Sequence, residues 1–393
     1  MTAPPHATAR HDLAVWLGLS TAALLLVGIG TPPIDIVAAL LLVTATLFLC
    51  LRWQLEMLAV LVLFVVGVWL RLDAVFGGYS DVPTVTQSAI SAALNGLDPY
   101  GVGYLTSMPP GAPFAYGPLA MLWYLPSQTE PGRLELLVSL GFVAMLAMRG
   151  RVLGLAIYAV LPALLVTSAD GSNDTSAGLF LLVALLVAER LPRAGGLLLA
   201  LAAAFKPYAL AWLPPLLAYG GIAGPLLAFM VGSVIAWGPA MVLWGPGPIY
   251  ESLRQAERLH AQPYYSLAWA VGGTRWLSES AWGLLRFTSG AAVAVIGWRM
   301  VRSARSFVVV GVAIFLVTMF TGWWSTFAYL AAIAPIICWH LDDWLGLGRQ
   351  RVVWPGDPVG QLSDWVDTRW PILKPWPLEP TEPSTGAAVS SAA

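Results

Sequence analysis

Charged residues are scarce. Asp, Glu, Lys and Arg make up 10% of the chain and hydrophobic residues 58%, where a soluble domain carries roughly 25% charged residues. That shortage excludes an ordinary water-soluble domain and points to an all-α polytopic membrane protein. No basic face or cationic tail offsets a net charge of −1, which excludes nucleic acid as a partner, because binding a phosphate backbone needs clustered Lys and Arg. There are two cysteines, Cys50 and Cys338, both inside apolar runs. They read as small buried hydrophobes, not as a disulfide or a metal pair. No small-residue cleavage pattern follows MTAPPHATARHDL, so the next apolar stretch reads as a first membrane helix and not a cleaved signal peptide. Internal repeats are absent. Lysine is nearly absent too: Lys206 and Lys374 are the two in the chain, and Arg supplies the other cations.

What is abundant is long apolar runs. About 17–25 apolar residues cross a hydrocarbon core of about 30 Å, and clear runs occupy 13–30, 34–51, 54–70, 134–148, 152–169, 175–188, 222–244, 282–298, 306–322 and 325–340. Positive residues set the orientation. Arg10, Arg52, Arg149/Arg151, Arg190/Arg193, Arg299/Arg302/Arg305 and Arg349/Arg351 fall on the cytoplasmic side, with both termini. The chain then divides into a cytoplasmic N-terminus (1–12), a transmembrane domain (13–340) and a cytoplasmic tail (341–393) that has too little apolar content to fold after about residue 377. The outer face receives a large first loop (71–117), the turn at 170–174, a second stretch (245–280) and the turn at Trp323/Trp324. His340, Asp342 and Asp343 fall at the cytoplasmic end, away from any outer site.

Two segments resist counting. The apolar stretch 117–126 spans only about 15 Å as a helix, so it re-enters or lies along the interface. The stretch 195–220 is long enough to cross, but a continuous helix would leave Lys206 near mid-bilayer, at a cost of at least ~2.5 kcal/mol unless paired. A break at Lys206-Pro207 is preferred, since Pro207 removes an amide donor and disfavours helical geometry at Lys206. Counting these segments gives about 10–13 membrane segments.

The first outer loop carries Asp73, Asp81 and Asp98, and no Lys or Arg from Leu72 to Tyr116. Val82, Val85, Ala89 and Ala93 share one face of a helix that Asn95-Gly96 ends, an amphipathic helix expected to lie on the membrane. Asp81 then stands where either an N-cap or a catalytic carboxylate would stand. Asp98-Pro99-Tyr100 reads as a turn, and Asp73 as an interfacial ion-pair partner of Arg71, with a role in the site left open. Lys206 reads either as a snorkelling or carboxylate-paired side chain, or as a point charge for a phosphate. Asn173 and Asp174 read as helix caps or sugar ligands. Tyr100 and Tyr116, like the outer Trp residues, fit an interfacial aromatic belt or a surface for stacking on sugars.

In this order and spacing the residues resemble the polyprenyl-phosphate-sugar-dependent glycosyltransferases of the GT-C fold, and within them the mannosyltransferase-like glycosyltransferase family 87. The likeness covers residues 71–215: Asp81 in the loop, Gly96-Leu97-Asp98-Pro99-Tyr100 after the amphipathic helix, Tyr116-Gly117-Pro118-Leu119 entering the next apolar segment, Gly171-Ser172-Asn173-Asp174, and the arm ending in Lys206-Pro207. Two departures stand out: two apolar runs precede the one leading into the loop, where that fold usually has one, and Gly117 replaces the entry motif's first proline.

The resemblance implies a GT-C-like transmembrane helix bundle that moves a mannose-like or other hexose or pentose, with inversion, from a polyprenyl-phosphate donor to a lipid or glycan acceptor at the outer face of the cell membrane. It implies Asp81 as base, and the chain offers Lys206 first for the donor phosphate; His260, on the outer stretch beside Arg254 and Arg258, reads either as a further phosphate or proton-handling group or as a solvated loop residue. Asp73, Asp98, Tyr100, Tyr116, Asn173 and Asp174 then become candidate substrate contacts. No cofactor is implied, and the sequence leaves room for a divalent metal without supplying a ligand motif for one. Two other classes compete. A lipid or sugar transporter or flippase could also use Lys206 at a broken helix, and a non-catalytic assembly subunit would have no need for Asp81 and Lys206 to converge.

Overall fold

Where the sequence runs apolar without interruption the chain is helical, and where proline intervenes the helix stops or turns. The computed structural model describes residues 56–73, 80–107, 110–169, 171–259, 262–273, 276–326 and 328–344, with 365, 368 and 369. The expected spans at 13–30 and 34–51, and His260, lie outside these residues. The described part is all-α apart from one short hairpin. In chain order it holds α1 (Glu56–Asp73), α2 (Val82–Leu94), the strands β1 (Gly103–Tyr104) and β2 (Ala112–Pro113), and α3 (Pro118–Tyr124), which runs into a 3-10 turn. Next come α4 (Pro131–Met148), α5 (Val152–Val160), α6 (Pro162–Ala169), α7 (Asp174–Arg190) and α8 (Pro192–Phe205). A 3-10 segment, Pro207–Trp212, leads to α9 (Leu213–Gly220) and α10 (Ala223–Leu243). The rest comprises α11 (Pro246–Arg258), α12 (Leu267–Ala270), α13 (Glu279–Trp298), α14 (Ala304–Phe320) and α15 (Ala328–Trp344). The antiparallel hairpin pairs Gly103 with Pro113 and Tyr104 with Ala112.

Among the described residues, three helices are long and apolar enough to cross a membrane: α4, α10 and α13. The main core joins α1, α4, α5, α7, α14 and α15 through Leu63, Phe142, Leu155, Leu185, Phe315 and Ile336. A second cluster caps one end of this bundle. There Val85 and Ile90 of α2, Phe114 beyond the hairpin, Ala120 and Tyr124 of α3, and Phe205 at the end of α8 pack together.

Three local expectations change. The run 152–169 forms two helices, because Pro162 has no amide to continue the ladder and holds Leu161 in extended geometry (φ −66°, ψ 117°). The apolar face of α2 does not wait for a bilayer, since α3 and α4 cover it. Arg71 does not pair with Asp73 at an interface. It is buried, donates through Nη2 to the carbonyl of Tyr158 (2.6 Å), through Nη1 to those of Ala159 (3.0 Å) and Gly67 (3.2 Å), and through Nε to Ser139 Oγ (2.6 Å). The Tyr158 carbonyl is the one that the missing Pro162 amide would have satisfied, so the guanidinium replaces a helix hydrogen bond and ties α1 to α5.

At the far end of the bundle, Asp342 accepts from the amides of Leu153 (3.2 Å) and Gly154 (3.1 Å), capping α5 from α15. Arg151 pairs with Asp343 at 2.5 Å. His340 faces Glu189 at 3.5 Å. Asp342 and Asp343 lie about 20 Å along α15 from Tyr329, which belongs to the other end.

Candidate functional site

Lys206 occupies the break that its sequence predicts. α8 ends at Phe205, Lys206 is extended (φ −142°, ψ 137°), and Pro207 starts the 3-10 segment. The side chain turns inward. Its Nζ donates to Asp174 Oδ1 at 2.8 Å, with the two side chains only 6% and 4% exposed. The ammonium also lies 5.2 Å from the ring centre of Tyr116 and 4.9 Å from that of Tyr208. An ammonium has three donors. One goes to Asp174, and the aromatic faces add cation–π attraction without consuming the others.

Asp174 is the first residue of α7, where the helix dipole favours a carboxylate. Asn173, at the N-cap position, makes no side-chain cap, and among the described residues its buried Oδ1 and Nδ2 find no hydrogen-bond partner. The turn before them is pressed against α2: Gly171 has φ +76°, and a Cβ there would come 2.8 Å from Pro83 Cγ and 2.9 Å from Gly132 Cα. Only glycine permits that approach. Through it the loop bearing Asn173 and Asp174 sits beside the start of α2, two residues from Asp81.

Asp81 is half-buried and does not act as a side-chain cap. Its main-chain carbonyl accepts the first helical bond from Val85 (3.0 Å), while the Val82 amide turns to Ser80 Oγ (3.2 Å). The carboxylate meets its own backbone amide and lies within electrostatic range of Lys206 and Tyr116. Burial pushes its carboxyl above the ordinary carboxylate range; its own backbone amide and the Lys206 ammonium pull partly back.

Tyr116 reaches the cluster because Gly117 docks on the end of α8. The Gly117 amide donates to the Phe205 carbonyl (3.3 Å), and a Cβ at 117 would lie 1.8 Å from the Ala204 carbonyl oxygen. A proline would lose that bond and clash, which accounts for glycine at this place in the entry motif. Tyr100 supports Tyr116 from behind, donating its hydroxyl to the Tyr116 carbonyl at 3.2 Å. Asp98 accepts from the Tyr100 amide at 2.8 Å and so acts as the turn former its sequence suggests.

Of the residues expected to gather, Asp81, Asn173, Asp174, Lys206 and Tyr116 share one end of the bundle. Tyr100 and Asp98 support that group without entering it. Asp73 is exposed at the end of α1 and has lost its expected partner Arg71 to the protein interior. Arg258 ends α11, with its side chain outside the described atoms, as is all of His260.

Sequence reasoning missed Tyr208, Tyr329 and Glu135. Tyr208 meets Tyr329 edge-on at 5.1 Å and closes the side of the site toward α15. Glu135 is fully buried; it accepts from the Ser176 amide at 3.0 Å and from the hydroxyls of Ser176 and Tyr124. This carboxylate from α4 caps α7 and fixes the helix start that carries Asp174. A lone acidic residue inside the run 134–148 was the available signal, as conspicuous there as Lys206 is in its own run. Among the described residues no group of three or more His, Cys, Asp and Glu side chains assembles that could hold a metal ion.

No family model, no curated protein and no solved structure matches this chain.

Proposed function

We propose that this chain is a multi-pass membrane glycosyltransferase of GT-C-like architecture. It moves a sugar from a polyprenyl-phosphate donor to a lipid or glycan acceptor at the outer membrane surface. One observation carries the reading: the turn leading to Asp174, the partner of Lys206, packs against Pro83, two residues beyond Asp81, so a carboxylate and a cation far apart in sequence share one end of the bundle. The exposed apolar faces of α10 and α13, including Val234 (70% exposed), Val242 (85%) and Phe287 (69%), support a lipid setting for the bundle.

In this reading Asp81, made more basic by burial, takes the proton of the acceptor hydroxyl as its oxygen attacks the anomeric carbon. The bond from that carbon to the phosphate oxygen breaks, and the lipid phosphate departs with the electron pair. Lys206 offers its remaining donors to that charge. Asp174 keeps the ammonium in place between turnovers, and Tyr116 and Tyr208 hold it from two sides.

Membranes containing the protein, or its Asp81→Asn variant, incubated with radiolabelled polyprenyl-phosphate sugars and a lipid extract, test the assignment. Label should enter lipid or glycan products with the natural protein and not with the variant. Equal labelling would overturn Asp81 as base. The buried Lys206–Asp174 pair at a helix break also favours a second reading, a transport pathway for a lipid or sugar. Uptake or scrambling in liposomes without sugar transfer would favour it.

A further inference from the structure

Asn173 is the most anomalous polar residue in the site. It is 0% exposed, and neither its amide oxygen nor its amide nitrogen has a hydrogen-bond partner among the described residues. Burying an amide without partners is costly, and native interiors avoid it. The N-cap position does not explain the residue, because its side chain makes no cap bond. Nor does its neighbourhood relieve it: the adjoining Asp174 is engaged with Lys206, and Ser176 with Glu135 and Trp123.

We infer that Asn173 is the residue that hydrogen-bonds a hydroxyl of the transferred sugar ring. A primary amide offers an acceptor and two donors side by side. A ring hydroxyl, which both gives and takes a hydrogen bond, complements both ends of it. A phosphate anion offers acceptors only and would leave the amide oxygen unmet. The division of labour follows from chemistry: Lys206 serves the charged part of the donor, and Asn173, one residue from Asp174, serves the neutral polyol part. This rests on the glycosyl-transfer reading and names the part of the substrate that the orphaned amide recognises.

The test uses purified full-length protein in detergent and citronellyl phosphate, either bare or esterified to mannose, glucose or arabinose. Binding is measured for the natural protein and for Asn173→Leu, a variant of similar volume without polar atoms. The natural protein should bind at least one sugar-bearing probe more tightly than bare citronellyl phosphate. The variant should lose about tenfold or more of affinity for that probe and bind the bare phosphate unchanged. Its unfolding midpoint without ligand should equal or exceed that of the natural protein, because the substitution removes an unpaired buried amide. A lowered midpoint, or undiminished affinity for the sugar-bearing probe, would overturn the inference alone. Failure of the natural protein to bind any of the probes would overturn the glycosyl-transfer reading and the inference with it.

Discussion

Breaking the Lys206–Asp174 pair separates what the ion pair does for the fold from what Lys206 does for a substrate. The perturbation is a three-variant set: Asp174→Leu, Lys206→Met, and both together. The side chains are only 6% and 4% exposed, so solvent screening is slight and the pair behaves as a buried one. Removing one member of such a pair costs about 3–5 kcal/mol, because the other charge stays buried. In Asp174→Leu the ammonium keeps the faces of Tyr116 and Tyr208, each contributing about 0.5–2 kcal/mol. In Lys206→Met the Asp174 carboxylate keeps the start of α7, an offset of roughly 0.3–2 kcal/mol. Each single loss should therefore fall near the low end of the range, about 3 kcal/mol. The double variant, with two neutral side chains of suitable size, should regain most of the stability, losing about 1–2 kcal/mol where additivity would give about 6, a coupling of about 4–5 kcal/mol. Unfolding by SDS titration in detergent micelles measures all four proteins. Sugar transfer should stay absent in the stable double variant, because the phosphate has lost its cation. Additive stability losses would refute the claim that the pair is a buried, mutually dependent unit.

The site's pH response follows from Asp81. Its carboxyl is raised by burial, and the base form is lost as pH falls through that raised value, so the acidic limb of transfer activity should lie above the ordinary Asp range. Initial rates against pH check this, and a limb at the ordinary value would contradict it. Arg71→Met should destabilise the bundle by about 2–4 kcal/mol, because it orphans the Tyr158 and Ala159 carbonyls. Adding Pro162→Ala, which restores an amide toward Tyr158, should recover part of the loss in the same unfolding assay. Gly117→Ala should cost about 1–3 kcal/mol, since its Cβ would lie 1.8 Å from the Ala204 oxygen, and should reduce transfer by displacing Tyr116 from Lys206. Unchanged stability in that variant would show that the contact with α8 is not tight.

Helix positions were largely legible because apolar runs and prolines act locally. The break at Lys206-Pro207, the end of α2 at Asn95-Gly96 and the Asp98 turn all follow from residue chemistry within a few positions. The split of 152–169 was equally local, and Pro162 announces it. Arg71 was misread for a different reason. Its nearest carboxylate in sequence is Asp73, but its partners are carbonyls of α5 that are left unpaired by a proline far along the chain. The same limit hid Glu135, whose meaning comes from the start of α7.

From composition and pattern alone come the all-α class, the apolar helices, the candidates Asp81 and Lys206, and the helix break at the lysine. Only the tertiary structure decided how these are used: that Lys206 pairs with Asp174, that Asp81 makes no side-chain cap because Ser80 takes the Val82 amide, that Glu135 anchors α7, and that Asn173 is buried without a partner among the described residues. The physical reason is range. Propensity and proline chemistry act over a turn or two of chain, whereas the partner of a buried charge or amide is whichever group packing brings within about 3 Å, at any separation in sequence.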